Sequence, residues 1–161
     1  MKTLVIYSTK HGCTELCAEK LSGQLQGSVD LYSLKSKKVP ELTLYDNIII
    51  GGSIYMGKIQ KEVSEFCNQN LELLKKKKLG LFICCMGEGE TAEKQLETSF
   101  PKELLDIAVV KSNFGGMFDF KKMNFMERTI VKKVSKITGD TSNIREDMIK
   151  EFANFMDEVV K

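Results

Sequence analysis

Thr3-Leu4-Val5-Ile6-Tyr7-Ser8-Thr9-Lys10-His11-Gly12-Cys13-Thr14-Glu15 passes from a β-rich apolar run straight into a turn of hydroxyls and one glycine, with no polar linker between. After it, Thr14, Cys17, Ala18, Leu21 and Leu25 recur at spacings of three and four, one face of an amphipathic helix. Residues 8 to 13 are therefore a tight turn between a strand and a helix. Such a turn is an anion site: main-chain N–H groups at a helix start lack partners, and the helix dipole favours negative charge there. Ser8, Thr9 and Thr14 add hydroxyl donors, and Gly12 lets the backbone approach a ligand closely. The turn has neither the GxxxxGK[ST] of a nucleoside triphosphate loop nor the GxGxxG of a dinucleotide loop, so a terminal monophosphate fits it better.

Working outward, further β-rich runs occupy Val29 to Leu34, Asn47 to Gly51 and Leu79 to Cys85, with a fifth near Ile107 to Phe114. The first, third and fourth runs are almost continuously apolar, as expected of parallel strands covered on both faces. Helical periods separate them: Ile59, Val63, Phe66, Cys67, Leu71 and Leu74; Glu90 to Phe100, ending before Pro101; and Met148, Phe152, Phe155, Met156 and Val159. This alternation predicts an α/β domain with a doubly wound, five-stranded parallel sheet of order 2-1-3-4-5 and helices on both faces. Leu34 to Tyr45 reads as an irregular or weakly helical link, and Lys75 to Lys78 as the solvated end of the second helix.

The chain has 161 residues, 42% of them hydrophobic, enough for one sizeable core, so residues 1–161 are expected to form a single domain. A net charge of +2 gives no sign of nucleic-acid binding. Five cysteines, Cys13, Cys17, Cys67, Cys84 and Cys85, form no CxxC pair and no ligand set with the single His11, so no metal is expected. With no leader pattern and no membrane-length apolar run, the sequence reads as cytoplasmic with reduced thiols, and Cys84 and Cys85 as two packed thiols.

Two more loops fall at the carboxyl ends of predicted strands. Ile50-Gly-Gly-Ser-Ile-Tyr-Met-Gly-Lys-Ile59 follows the third strand, and Cys85-Met-Gly-Glu-Gly-Glu-Thr91 follows the fourth. Tyr7 to Glu15 resembles the flavodoxin phosphate loop, written T/S-x-T-G-x-T, with His11 where a threonine is common. The resemblance implies FMN, bound by Ser8, Thr9, Lys10, His11, Gly12, Cys13 and Thr14. It makes Ser53, Ile54, Tyr55, Met56 and Gly57 one wall of the isoalloxazine site, with Tyr55 stacking and Gly57 presenting its peptide to flavin N5. Cys85, Met86, Gly87, Glu88 and Gly89 form the other wall, which lacks the tyrosine many flavodoxins place there. On the bland reading, Tyr55 and Met56 only cover the sheet end, and the glycines at 87 and 89 only make a turn.

Phe114 to Arg128 and Lys136 to Arg145, with the Met1 to Thr9 start and the Gly-Ser-Ile-x-x-Gly loop at 52 to 57, are similar to the quinone-dependent protoporphyrinogen oxidase branch of the flavodoxin-like proteins. Residues 86 to 106 hold no match to that branch's long inserted loop. The resemblance implies an FMN oxidoreductase taking electrons from a small reduced substrate, a tetrapyrrole in that branch, and passing them to quinone or a redox partner protein. The alternatives are a flavodoxin electron carrier between enzymes and a non-redox interaction module. Residues 117 to 139 carry six basic side chains against Asp119 and Glu127, a local net charge of +4, interleaved with apolar residues. This basic amphipathic segment suits peripheral contact with the inner face of a membrane, a substrate entrance or an acidic partner, and equally an ordinary helix packed on the domain.

Overall fold

The computed structural model describes residues 1–36, 38, 40–118, 126, 127, 129 and 141–158. In chain order these form β1 (Lys2–Ser8), α1 (Cys13–Ser22), β2 (Ser28–Ser33), a short 3-10 turn (Leu42–Leu44), β3 (Asn47–Tyr55), β4 (Lys58–Ile59), α2 (Lys61–Gln69) and α3 (Leu71–Leu74). There follow β5 (Lys78–Cys84), α4 (Gly89–Ser99), α5 (Lys102–Ile107), β6 (Val110–Asn113), β7 (Gly115–Phe118), β8 (Thr141–Ile144) and α6 (Glu146–Asp157). The parallel strands lie in the order β2-β1-β3-β5-β6. Counting only these five, the order is the expected 2-1-3-4-5.

Strand alternation divides the core into two layers. Leu4, Ile6, Ile48, Ile50, Leu81 and Ile83 face Val63, Phe66 and Cys67 of α2, Leu74 of α3, and Leu104 and Leu105 of α5. Val5, Tyr7, Ile49, Phe82 and Cys84 face Cys17, Ala18 and Leu21 of α1 and Ile149, Phe152 and Met156 of α6. Phe82 and Phe114 stack with ring centroids 4.6 Å apart, and Phe152 stands edge-on to both at 6.1 and 5.2 Å. The offset and edge geometry matches the preference of aromatic quadrupoles. This cluster ties α6 back onto the sheet centre.

The sequence-based boundaries need correcting at several points. The second helix breaks at Asn70, and Ile59, read as its first apolar position, belongs to β4. Ile107 closes a helix rather than opening the fifth strand, because Pro101, with φ near the helical value, restarts a helical turn after α4. Lys77 and Lys78 are not merely solvated: the Lys77 ammonium donates to the Tyr45 carbonyl at 2.7 Å, and Lys78 donates to the carbonyls of Met156 and Glu158. Cys84 and Cys85 point to opposite faces of the sheet and are free thiols. Met117 and Phe118 lie in β7, paired antiparallel with β8. Most of the basic segment at 117–139 lies outside the described residues. No described helix is long and apolar enough to cross a membrane.

Candidate functional site

Register places the three predicted loops side by side. Ser8 of β1 pairs with Gly52 of β3, and Ser53 of β3 with Cys84 of β5, so the turns after these strands leave one carboxyl edge. Neighbouring strands are about 4.8 Å apart, so the three turns span about 10 Å. Strand order reverses between β1 and β3, which makes this edge the topological switch point where such sheets open a crevice.

Gly12 caps α1 with φ 93°, a left-handed conformation that leaves the helix without a side-chain cap. Its N–H donates to Thr9 Oγ1 at 2.9 Å, while its carbonyl accepts the first helical bond from Leu16. The next N–H groups point out of the helix start. Thr14 is fully buried, yet its Oγ1 has no hydrogen-bond partner among the described residues. A buried hydroxyl without a partner costs free energy, and this one lies in the first turn of α1, beside the main-chain N–H groups of the helix start. The donor set, one unpaired hydroxyl and uncapped amides at a positive helix end, fits the phosphate of FMN.

Other residues around this turn are already engaged. The Ser8 hydroxyl donates to Glu62 at 3.1 Å, so Ser8 is not the free donor its position suggested. His11, which the resemblance places against FMN, pairs with Glu127 at 2.6 Å, its side chain only 15% exposed. Lys10 holds its ammonium 3.9 Å from the centre of the Tyr55 ring, and His11 meets the same ring edge-on at 6.4 Å. Desolvation, then the nearby Glu127 carboxylate, pushes the Tyr55 phenol above its ordinary range. Glu127 thus joins the phosphate turn to the first wall, a contact that sequence reasoning missed because it spans 116 positions.

A cavity of about 480 Å³ opens between the turn and that wall, lined by Thr9, Lys10, His11, Lys35, Tyr55, Lys58, Ile59, Gln60, Lys61 and Glu62. Four lysines face one carboxylate, so its field favours an anion despite Glu62. Residues 85–89 do not line this cavity; they adjoin it through the β3–β5 pairing.

The first wall is a hairpin rather than a loose loop. Tyr55 pairs with Lys58 and Ile54 with Ile59 across Met56 and Gly57, whose φ angles are 51° and 82°. Positive φ at both central residues is the signature of the two-residue turn that matches strand twist. Methionine tolerates this conformation poorly, and Met56 is nevertheless 68% exposed, so the turn stores strain at the rim of the site. A Cβ at Gly57 would meet nothing within 4 Å, so glycine serves there for backbone freedom and not for space. Gln60, which sequence reasoning passed over, fastens the hairpin: its Oε1 accepts from the Ser53 N–H at 3.0 Å and its amide donates to Ser53 Oγ at 2.5 Å.

The second wall is held by Asn113, also unforeseen. Asn113 Oδ1 accepts from the N–H groups of Cys85 and Gly115 at 3.3 and 3.0 Å, and its amide donates to the Gly87 carbonyl at 3.4 Å. Met86 packs against Gly116 so closely that a Cβ there would lie 2.7 Å from its sulfur. Glu88 and Gly89 are exposed. No aromatic ring belongs to residues 85–89.

At the same edge, Cys13 at the start of α1, Cys17 one turn further and Cys84 at the end of β5 converge, all buried, with their sulfurs within 4.8 Å of one another. Hydrogen bonds from Cys17 and Cys84 hold the Cys13 thiol well below its ordinary range, and hydrogen bonds to Cys13 and Cys17 push Cys84 up.

A doubly wound α/β domain with an uncapped helix start at its switch point has the architecture of phosphate-anchored cofactor folds. Within that class the assignment is specific: residues 4–145 match the family described as "Flavodoxin domain", and the chain belongs to it. It is 21% identical over 171 residues to "Protoporphyrinogen IX dehydrogenase [quinone]" of Escherichia coli (strain K12), covering 99% of this chain and 94% of that one. Its fold is similar to that of oxidised Flavodoxin 1 from Bacillus cereus, with TM-score 0.61, 14% identity and 97% of each chain covered. It is similar also to the two-electron reduced flavodoxin of Megasphaera elsdenii, with TM-score 0.58, 16% identity, and 94% and 98% covered.

Proposed function

We propose that this chain binds FMN, with the phosphate in the Ser8–Thr14 turn and the ring between residues 53–57 and 85–89, and acts as an oxidoreductase. Its reduced substrate is of the tetrapyrrole class and its acceptor a quinone. The observation that carries the cofactor is Thr14 Oγ1, buried without a partner at the uncapped start of α1. Membership of the flavodoxin-domain family and similarity to the E. coli dehydrogenase support the redox role and the substrate class.

FMN, when bound, supplies the ring that accepts and returns electrons. The protein's part is binding and electrostatics. The amides of the first turn of α1 and the Thr9 and Thr14 hydroxyls would hold the phosphate, and Lys10, Lys35, Lys58 and Lys61 would supply the attractive field. Gln60 and Asn113 fix the two walls, while Gly57 leaves one peptide in the first wall free to reorient. With no aromatic ring in the second wall, one side is left for a flat substrate. The +4 segment at 117–139 supports contact with an anionic membrane surface, where quinones reside.

The test is anaerobic. FMN-loaded protein mixed with protoporphyrinogen IX should lose flavin absorbance and regain it on addition of menaquinone. A rate no higher than that of free FMN overturns the substrate assignment and leaves the chain an electron carrier between proteins.

A further inference from the structure

Cys13 and Cys17 lie one helical turn apart on the buried face of α1, and Cys84 approaches from the end of β5. Buried cysteines commonly serve as small apolar side chains. Here, however, two elements deliver three sulfurs to one point, with Cys13 at 6%, Cys17 at 0% and Cys84 at 2% exposure. From these positions we propose a second site in the domain: a three-sulfur pocket that takes one Cu(I) ion.

The donor set selects the ion. Thiolate sulfur without oxygen or imidazole favours a soft cation. A closed zinc site needs four ligands, and the chain's single histidine is paired with Glu127. With metal–sulfur bonds of about 2.3 Å, the length typical of zinc thiolates, a planar trigonal ion spaces its sulfurs by about 4 Å. The three sulfurs already lie within 4.8 Å of one another, so side-chain adjustment suffices. The surrounding side chains, including Val5, Ile49, Phe82 and Phe114, are apolar and offer no competing oxygen or nitrogen ligand. The Met117 main chain hydrogen-bonds to Cys13, and α1 begins at that residue, so the first ligand is held by backbone on two sides. Copper bonds to the three sulfurs, and each thiol, Cys13 included, that binds as thiolate gives its proton to solvent; no electron is transferred.

The site is tested on the full chain, reduced and free of oxygen, with Cu(I) supplied as its acetonitrile complex in competition with bicinchoninate. The wild-type chain should retain one Cu(I), and X-ray absorption should report a first shell of three sulfurs. Cys13→Ser, Cys17→Ser and Cys84→Ser should each weaken retention at least about tenfold, since each removes one ligand of a second-site constellation. Cys67→Ser, whose sulfur lies in the other core layer, should retain copper as the wild type does. Complete loss of copper to the competitor, a shell containing nitrogen or oxygen, or equal weakening by Cys67→Ser overturns the site. The absorption measurement needs only wild-type protein, so misfolding of a serine variant does not obscure the answer.

Discussion

Replacing Thr14 by valine should move stability and cofactor binding in opposite directions. The side chains have nearly the same shape, and the hydroxyl removed is fully buried and makes no hydrogen bond among the described residues. Leaving such a group unpaired costs about 1–3 kcal/mol, so Thr14→Val should stabilise the flavin-free chain by about 1 kcal/mol or more. With a urea dependence of about 1–3 kcal/mol per molar, the unfolding midpoint should rise by about 0.5 M. In the FMN complex the same hydroxyl donates to a charged phosphate, a bond worth about 1.5–3 kcal/mol. FMN affinity should therefore fall about tenfold to a hundredfold. Urea titrations of the flavin-free protein and quenching of FMN fluorescence measure the two effects. A variant destabilised without flavin, or one binding FMN as tightly as the wild type, refutes the assignment of Thr14 as a phosphate donor.

Three further outcomes follow from other contacts. Glu62→Gln removes the carboxylate beside Ser8 and should tighten FMN binding about fivefold at low salt, on the order of 1 kcal/mol for a charge pair at the protein surface, with the gain fading as salt is added. Phe152→Ala opens the aromatic cluster and should cost about 3–5 kcal/mol in urea unfolding, with little effect on the phosphate turn. Tyr7, raised to about 12 by burial and then by its bond to Glu15, holds its proton more tightly when folded than unfolded. Its contribution is present below the unfolded value near 10 and lost as pH rises toward 12. Stability measured across that window should fall with pH, less steeply in Tyr7→Phe.

The parallel sheet could be read directly because strands buried on both faces are almost pure runs of apolar residues, and Gly12 followed by a helical period marks the turn after β1. Strand boundaries were less legible. Ser53 to Tyr55 look like loop because glycines precede them, yet they continue β3 into a hairpin whose turn is set by φ at Met56 and Gly57. Within the site, sequence showed which residue types could meet an anion but not which were already occupied. Ser8 is taken by Glu62 and His11 by Glu127, and neither pairing has a local spacing that betrays it. Gln60 and Asn113 carry no motif at all; their roles arise only where strand ends need a side-chain amide to satisfy loop backbone. The thiol cluster was half visible, since Cys13 and Cys17 are spaced to share a helix face, but Cys84 joins them only through the fold.

The central claim, that the turn after β1 anchors the cofactor by its monophosphate, is tested most directly by comparing FMN with riboflavin, which has the same ring and lacks the phosphate. Two or more hydrogen bonds to a charged phosphate, each worth about 1.5–3 kcal/mol, predict that the purified chain binds FMN more than about a hundredfold tighter than riboflavin in fluorescence titration. Equal affinity for the two flavins, or no binding of FMN, contradicts it.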